Sequence, residues 1–253
     1  MKALLRALAD VIFPSTCLSC SAVLREDGTK PFCPSCTEKI SLIAPPLCPV
    51  CGKPYGTPEG TDHVCGDCLT DKPPFDLARS AGRYDGPLLE AISRLKYQAR
   101  TAAGVLLGRW MAARSWPGFC PTDYDWMVPV PLHPKRLRQR GFNQAVLLGR
   151  TVAGTFAIPF DTTVLQRRVH SSPQVGLGRN ERKANARGAF AVNTPGRIEG
   201  KNIVVVDDVY TTGSTVRECA RVLKKAGAAS VAVLTLARAV DDGIRENEAE
   251  EKA

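Results

Sequence analysis

The sequence predicts an α/β protein, in which a parallel sheet with helices on both faces follows a small metal-stapled module. After residue 76, apolar segments rich in β-branched residues alternate with segments of helical period. The strand segments are apolar almost throughout, as in sheets that are buried on both faces. The module is predicted because eight of the ten cysteines form four C-x-x-C pairs within the first 68 residues.

The cysteine pairs are separated by gaps of 12, 11 and 13 residues. A C-x-x-C knuckle directs two thiolates at one metal, and two knuckles complete a closed tetrahedral zinc site. Eight ligands therefore predict two structural Zn2+ ions. These ions would stabilise the fold of a segment that is too small to form its own hydrophobic core. Sequential pairing in two tandem ribbons is favoured by the similar gaps, and a cross-braced arrangement is the alternative. His63 is an alternative ligand or an exposed loop residue, and the predicted ligands are Cys17, Cys20, Cys33, Cys36, Cys48, Cys51, Cys65 and Cys68.

Charge and cysteine usage limit the class of protein. The formal charge is +9, and the tail "DDGIRENEAEEKA" is net acidic, so the first 240 residues carry +13. This excess predicts a polyanionic partner such as phosphate, pyrophosphate or nucleic acid, or else a basic surface that aids solubility. We expect a cytoplasmic protein with metal-bound thiolates, because no transmembrane run and no signal peptide are apparent.

The elements follow in a consistent order. Leu4, Leu5, Leu8 and Ile12 have helical spacing and predict a short amphipathic helix. The stretch "DKPPFD" (71–76) is typical of a linker. Helices are predicted over 86–98, 101–114, 141–156 and 214–227, and strands over 125–132, 162–169, 188–192, 201–209 and 230–238. The lone residues Cys120 and Cys219 are expected to be ordinary packed cysteines.

The stretch "IVVVDDVYTTGST" (203–215) ends a buried strand on two aspartates. Ligands bind at the carboxyl ends of parallel strands, which is where Asp207 and Asp208 lie. Small residues and a helix N-terminus after them favour an anion, above all a phosphate. Paired carboxylates suit the neighbouring hydroxyls of a sugar, or hydrated Mg2+. The alternative is a purely structural role, in which a strand and a turn lead to a helix whose N-cap is Thr212 or Ser214. That role would account for one hydroxyl side chain but not for the two aspartates.

Two basic stretches accompany this site. The first, "PVPLHPKRLRQRGFNQA" (129–145), lies beside the end of a strand and carries Lys135, Arg136, Arg138 and Arg140. The second, over 167–190, is expected to form a mobile loop. Arginines near a phosphate site would stabilise a pyrophosphate leaving group. The alternative is that these residues form a solvated basic rim without a binding role. The second stretch carries Arg167, Arg168, Arg179, Arg182, Lys183 and Arg187.

The stretch "IVVVDDVYTTGST" resembles the loop of type I phosphoribosyltransferases that binds PRPP (5-phosphoribosyl 1-pyrophosphate). The resemblance implies that Asp207 and Asp208 hold the ribose 2′- and 3′-hydroxyls. It also implies that Thr211, Thr212, Gly213, Ser214 and Thr215 surround the 5′-phosphate, with Mg2+ bound alongside PRPP. Thr211 replaces the carboxylate that some purine-salvage members have at this position, which argues against that activity.

The order of the zinc ribbons, "YDGPLLEAISRLKYQAR", the two basic stretches and the aspartate turn resembles the ComF family. That family includes competence proteins linked to DNA uptake, and the similarity spans about Leu4 to Arg238. It implies a helix and double zinc ribbon over 1–72 and a type I phosphoribosyltransferase-like domain over 73–240. The acidic tail over 241–253 lies outside the resemblance and is expected to be disordered. Proteins of the competence machinery are implied as partners.

Two functions of different class are compatible with these residues. The first is a PRPP- and Mg2+-binding protein that transfers phosphoribosyl groups, with Lys96 and Tyr97 on the acceptor side and His133 orienting the basic stretch. The second is a non-enzymatic protein that binds single-stranded DNA through its zinc ribbons and basic loops. No general base is evident, and the absence of an interleaved basic–aromatic run predicts electrostatic rather than stacking contacts with DNA.

Overall fold

The computed structural model describes residues 15–24, 29–57, 59–97, 101–169 and 186–240. The predicted N-terminal helix, the acidic tail after residue 240 and most of the second basic stretch lie outside these residues, including Arg179, Arg182 and Lys183. Among the described helices, none combines the length and the apolarity that a membrane crossing requires.

Four parallel strands form the central sheet. The strands in the described residues are β1 (Leu77–Arg83), β2 (Trp126–Pro129), β3 (Leu165–Arg167), β4 (Phe190–Val192), β5 (Asn202–Tyr210) and β6 (Ser230–Arg238). The sheet has the order β1-β6-β5-β2, and β3 pairs with β4 in a separate antiparallel ribbon. β5 is central, so its carboxyl end is flanked by other strands and forms the floor of a crevice.

Helices lie on both faces of the sheet, and two short helices belong to the cysteine-rich segments before it. They are α1 (Pro34–Glu38), α2 (Gly66–Thr70), α3 (Gly86–Tyr97), α4 (Thr101–Ala112), α5 (Pro134–Arg140), α6 (Gln144–Phe156) and α7 (Ser214–Lys225). Short 3-10 turns occupy Pro121–Asp123 and Pro195–Arg197. Alternate residues of β5 pack on opposite faces: Val204 and Val206 join a core with α3, α4 and α6, whereas Ile203 and Val205 join a core with α7. The predicted parallel sheet with helices on both faces is confirmed.

α4 and α6 approach each other closely through two glycines. A Cβ atom added at Gly104 would lie 2.6 Å from the Cβ of Leu147, and one at Gly108 would lie 2.7 Å from the Cβ of Thr151. Contacts below 3 Å are incompatible with normal packing, so only glycine permits this separation. The packing fixes the position of α6, whose N-terminus faces the crevice.

The structure corrects the sequence-based assignment in three places. β1 was not predicted, because its start follows directly on the linker-like stretch and it contains Arg79 and Ser80, which are buried. The first basic stretch is not a continuous loop, because α5 lies within it. β2 ends at Pro129, three residues before the predicted end, since the prolines that follow lack the N–H that a ladder needs.

Candidate functional site

A cleft of about 490 Å3 opens at the carboxyl ends of β2 and β5. The loop after β5 forms one wall, α3 forms another, and α5 with β3 supplies cations. The structure brings six of the predicted site residues into this lining: Asp207, Asp208, Thr211, Thr215, Arg136 and Arg140. Lys96, Tyr97 and Arg167 also line it. Lys135 does not, since its exposed side chain lies in the first turn of α5.

The two aspartates occupy the floor of the cleft but face different neighbours. Asp208 is buried, and its Oδ2 lies 2.8 Å from the Nζ of Lys96 on α3. Asp207 is partly buried, and its Oδ1 accepts a hydrogen bond of 2.9 Å from the backbone N–H of Asp208. Because successive residues of a strand point to opposite faces, Asp208 reaches the α3 face while Asp207 lies toward the face of α7.

This environment raises the pKa values of two groups in the cleft, Asp207 and Lys96. Burial, followed by the charge of Asp208, raises the pKa of Asp207 to about 8. Burial alone would lower the pKa of Lys96, but the charge of Asp208 and their hydrogen bond outweigh it, so the pKa of Lys96 lies above its ordinary value. Near neutral pH the floor thus holds one ion pair and one mostly neutral carboxyl.

The turn after β5 lies at the edge of the cleft: Thr211 and Thr215 line the cleft, whereas the predicted residues Thr212, Gly213 and Ser214 do not. Gly213 is the N-cap of α7 with φ +74°, and Ser214 donates its N–H to the Oγ1 of Thr212 at 3.4 Å. In the described part of the chain, the N–H groups of Thr211, Thr212, Gly213 and Thr215 have no hydrogen-bond acceptor. Unpaired N–H groups at a helix N-terminus favour an anion. The turn thus has the donors that a phosphate group requires.

Three arginines of the lining crowd one side of the cleft. Burial, followed by the charge of Arg136, lowers the pKa of both Arg140 and Arg167. The guanidinium of Arg140 also lies 5.8 Å from the ring of Tyr97, which is 74% exposed. Like charges held together in a half-buried cleft repel one another, so a bound polyanion would relieve the repulsion.

Gln144 is a further candidate binding residue that sequence reasoning missed. It begins α6, lines the cleft and is only 3% exposed, yet its Nε2 has no hydrogen-bond partner among the described residues. A buried amide without a partner costs free energy, and a ligand that accepts its hydrogen bond recovers that cost. The stretch "RGFNQA" carried no signal for this role beyond its position before a helix. Asn143 is occupied as the N-cap, with its Oδ1 accepting from Ala145 N.

The cysteines form two compact sets of four, paired sequentially rather than cross-braced. Within each set the sulfur atoms lie within 4.8 Å of one another. Cys20 and Cys33 are separated by 3.7 Å between sulfurs, and Cys51 and Cys65 by 3.6 Å. Thiolates on a tetrahedral zinc with bonds of about 2.3 Å would be about 3.8 Å apart, so both sets fit Zn2+. The first set is Cys17, Cys20, Cys33 and Cys36, and the second is Cys48, Cys51, Cys65 and Cys68.

The two candidate histidines and the two lone cysteines lie outside the metal sets. His63 lies outside the metal set, because its ring stacks on Tyr55 at 3.9 Å and its Nδ1 lies 2.9 Å from the carbonyl of Thr61. His133 caps α5, accepting at Nδ1 from the N–H of Lys135 at 3.2 Å. Cys219 is buried in α7, whereas Cys120 is exposed beside the hydroxyl of Thr122.

Comparison with known proteins gives consistent matches along the chain. Residues 8–69 match the double zinc ribbon domain, and residues 143–252 match the phosphoribosyl transferase domain. The DNA utilization protein YhgH of Salmonella typhi is 37% identical over 198 residues, which cover 76% of this chain and 84% of that protein. Competence protein F of Haemophilus influenzae is 33% identical over 215 residues, covering 82% and 90%. Competence protein ComFC of Bacillus subtilis is 30% identical over 239 residues, covering 88% and 94%.

Proposed function

The chain belongs to the ComF family of competence proteins, with a double zinc ribbon and a phosphoribosyltransferase domain, and from that premise we propose that its cleft binds PRPP with Mg2+. The observation that carries the proposal is that Asp207, Asp208, Thr211 and Thr215 line one cleft. The protein would act in the cytoplasm, in the handling of DNA that has been taken up.

The ribose and the 5′-phosphate of PRPP have matching partners. Two adjacent carboxylates at the end of β5 accept hydrogen bonds from the neighbouring 2′- and 3′-hydroxyls. The turn that begins only a few residues later offers unpaired N–H groups to the 5′-phosphate. The short separation in sequence corresponds to the short separation between the ribose hydroxyls and the phosphate of one sugar.

The pyrophosphate of the ligand fits the cationic side of the cleft. Arg136, Arg140 and Arg167 face it, and Gln144 Nε2 is a neutral donor without another partner among the described residues. The oxygen ligands that Mg2+ prefers are available from the ribose and pyrophosphate, with Asp207 and Asp208 nearby to hold water molecules of the ion. When bound, Mg2+ supplies positive charge to the pyrophosphate oxygens.

The same arrangement favours transfer of the phosphoribosyl group. In that reaction the bond between C1 and the pyrophosphate oxygen breaks, and the electron pair leaves on pyrophosphate. A lone pair of the acceptor forms the new bond to C1, and the acceptor loses its proton to solvent. Arg136, Arg140 and Arg167 stabilise the charge that develops on the leaving group. The acceptor would enter beside Tyr84, Ser93 and Tyr97, which line the wall that α3 and the residues before it form.

Calorimetric titration with PRPP and Mg2+ tests this proposal. Wild type should bind, and the double variant Asp207→Asn, Asp208→Asn should lose at least tenfold in affinity, because charged hydrogen bonds are worth about 1.5–3 kcal/mol. Asp125→Asn is the matched control, since Asp125 bonds Lys201 and Asn202 at the opposite end of the sheet. Absence of wild-type binding, or equal binding by the double variant, would contradict the proposal.

A second candidate function is electrostatic binding of single-stranded DNA. The names of the relatives refer to competence and DNA utilization. Arg138 on α5 and Arg168 just after β3 add exposed cations outside the cleft lining. Gel shifts over a salt series should give a steep loss of affinity with rising salt. The variant Arg136→Gln, Arg138→Gln should reduce that slope, and binding that is insensitive to salt would exclude this mode.

A further inference from the structure

We propose that the second zinc ribbon positions the phosphate-binding turn, with Arg238 and Arg217 as positioning residues that link the two. The ribbon is residues 47–71 around Cys48, Cys51, Cys65 and Cys68. The turn is residues 211–215, which include the first two residues of α7. The assignment of phosphate to this turn rests on the proposed function, whereas the physical coupling of ribbon and turn does not.

The first link runs from a zinc ligand through Arg238. This arginine ends β6 and is only 7% exposed. Its Nη1 donates a 2.7 Å hydrogen bond to the carbonyl of Cys51, and its Nη2 lies 3.7 Å from the sulfur of the same residue. Hydrogen bonds to a metal ligand fix its orientation. The second zinc site and the end of the central sheet therefore share one buried side chain.

Tyr210 continues this link to the turn. The guanidinium of Arg238 lies 4.2 Å from the centre of the Tyr210 ring, and Phe75 meets the same ring edge-on at 6.4 Å. Tyr210 in turn lies directly against Gly213, since a Cβ added at Gly213 would be 2.3 Å from the Tyr210 hydroxyl oxygen. The residue that caps α7 thus lies against a ring held by the arginine of the zinc site.

The second link runs through Arg217 in the first turn of α7. Its Nη2 donates to the carbonyl of Asp71 at 2.9 Å and lies 2.9 Å from the carboxylate of the same residue. Asp71 follows α2, the helix that contains the zinc ligand Cys68. The backbone N–H of Arg217 donates to the carbonyl of Gly213 at 2.9 Å. Both ends of the metal-bound segment therefore reach the same turn by separate routes.

The first ribbon has a different set of neighbours. Its Phe32 packs edge-on against Trp110 of α4 at 6.0 Å, and the N–H of Ile43, just beyond it, donates to the carbonyl of Ala81 in β1. Among the described residues, none of the backbone–backbone hydrogen bonds of the first ribbon reaches residues 211–215. Coupling between two places requires a continuous set of contacts, and such contacts to the turn come from the second ribbon.

The test compares Arg238→Met with Arg79→Met. Arg79 is a matched control, because it is 5% exposed, lies in β1 and donates at 3.1 Å to the carbonyl of Pro49 in the same zinc knuckle. Its other bonds go to the carbonyls of Pro117 and Ala78, away from the cleft. Both variants remove one buried arginine from the ribbon–sheet contact, but only Arg238→Met breaks the path to the turn.

Hydrogen exchange of the backbone amide of residue 217, whose N–H donates to the carbonyl of Gly213 at 2.9 Å, is the primary measurement and is taken as the exchange rate of the turn. It is recorded on the full zinc-loaded chain with two zinc ions per chain verified. Arg238→Met should raise the exchange rate of the turn about tenfold, the equivalent of one hydrogen bond with a charged donor. Arg79→Met should leave it within twofold of wild type. Equal rates in Arg238→Met and wild type would overturn the proposal. If Arg238→Met does not fold, Arg217→Gln at the half-buried second link replaces it, with the same expectation.

Calorimetry with PRPP and Mg2+ separates this inference from the proposed function. If wild type binds, Arg238→Met should bind about tenfold more weakly and Arg79→Met within twofold of wild type. Unchanged PRPP affinity in Arg238→Met would overturn the positioning role. If wild type does not bind PRPP, the proposed function fails. The coupling of ribbon and turn is still supported if the turn exchanges faster in Arg238→Met but not in Arg79→Met.

Discussion

Asp207 should release a proton when PRPP binds. Its pKa of about 8, raised first by burial and then by the charge of Asp208, leaves about nine-tenths of the molecules protonated at pH 7. To accept hydrogen bonds from ribose hydroxyls beside Mg2+, the carboxyl must be ionised. Binding at pH 7 should therefore release about 0.9 proton per ligand, and binding at pH 9 about 0.1.

The assay is calorimetric titration in buffers of different ionisation enthalpy, with Mg2+ in excess. Asp207→Asn is the control, because it keeps the shape of the side chain and subtracts any protons that come from PRPP itself. In wild type, affinity should also rise nearly tenfold between pH 6 and pH 7 relative to this variant. Proton release equal in wild type and Asp207→Asn would refute the argument that Asp207 is the neutral carboxyl of the cleft.

The same pKa has a consequence for the ligand-free protein. A carboxyl whose folded-state pKa is raised above its unfolded value of about 4 disfavours the folded state once the unfolded chain ionises. The cost is absent below pH 4 and grows as the pH rises toward 8. Asp207→Asn should therefore raise the melting temperature at pH 8 and leave it unchanged at pH 4, by thermal unfolding without ligand.

Three other substitutions or treatments have expected outcomes. Gly213→Ala should abolish PRPP binding in calorimetry, because the added Cβ would meet the Tyr210 hydroxyl at 2.3 Å and φ is +74°; unchanged affinity would contradict the geometry of the turn. Gln144→Leu should stabilise the free protein by about 1 kcal/mol in urea unfolding, through loss of an unpaired buried amide, yet weaken PRPP binding; equal affinity would exclude Gln144 from the site. Chelation should release two zinc ions per chain and lower the melting temperature; a stoichiometry of one would contradict the two thiol sets.

The strands and helices with strong local patterns were predictable from the sequence. β5, β6 and α7 follow from continuous apolar runs and from helical period, and the structure confirms them within two residues. Sequential pairing of the cysteines was favoured by the similar gaps, and the structure confirms it. These features depend on residues close together in the chain, which is the information that pattern analysis contains.

β1 was missed because its polar residues are satisfied by distant partners. Ser80 shares a 2.6 Å hydrogen bond with Thr235 of β6, and Arg79 donates to carbonyls of Pro49 and Pro117. A polar residue inside a predicted strand argues against burial unless its partner is known. α5 had local signals that were overlooked: Pro134 at its first position and Gly141, with φ +80°, at its end.

The residues that define the cleft were predictable only in part. Asp207 and Asp208 were identified from the end of a strand, but the contact of Asp208 with Lys96 depends on how α3 packs over β5. The unpaired amide of Gln144 and the path through Arg238 depend equally on tertiary packing. The Asp208–Lys96 contact joins residues 112 positions apart and the Arg238–Cys51 contact residues 187 positions apart, so no spacing rule within the sequence reports them.

A crystal structure of the protein with PRPP and Mg2+ tests the central claim most directly. The account predicts the ribose 2′- and 3′-hydroxyl oxygens within about 2.6–3.2 Å of the carboxylates of Asp207 and Asp208. It also predicts the 5′-phosphate within hydrogen-bond distance of the N–H groups of Thr211, Thr212, Gly213 and Thr215. PRPP bound elsewhere, or bound in the cleft with its phosphate away from this turn, would contradict the account.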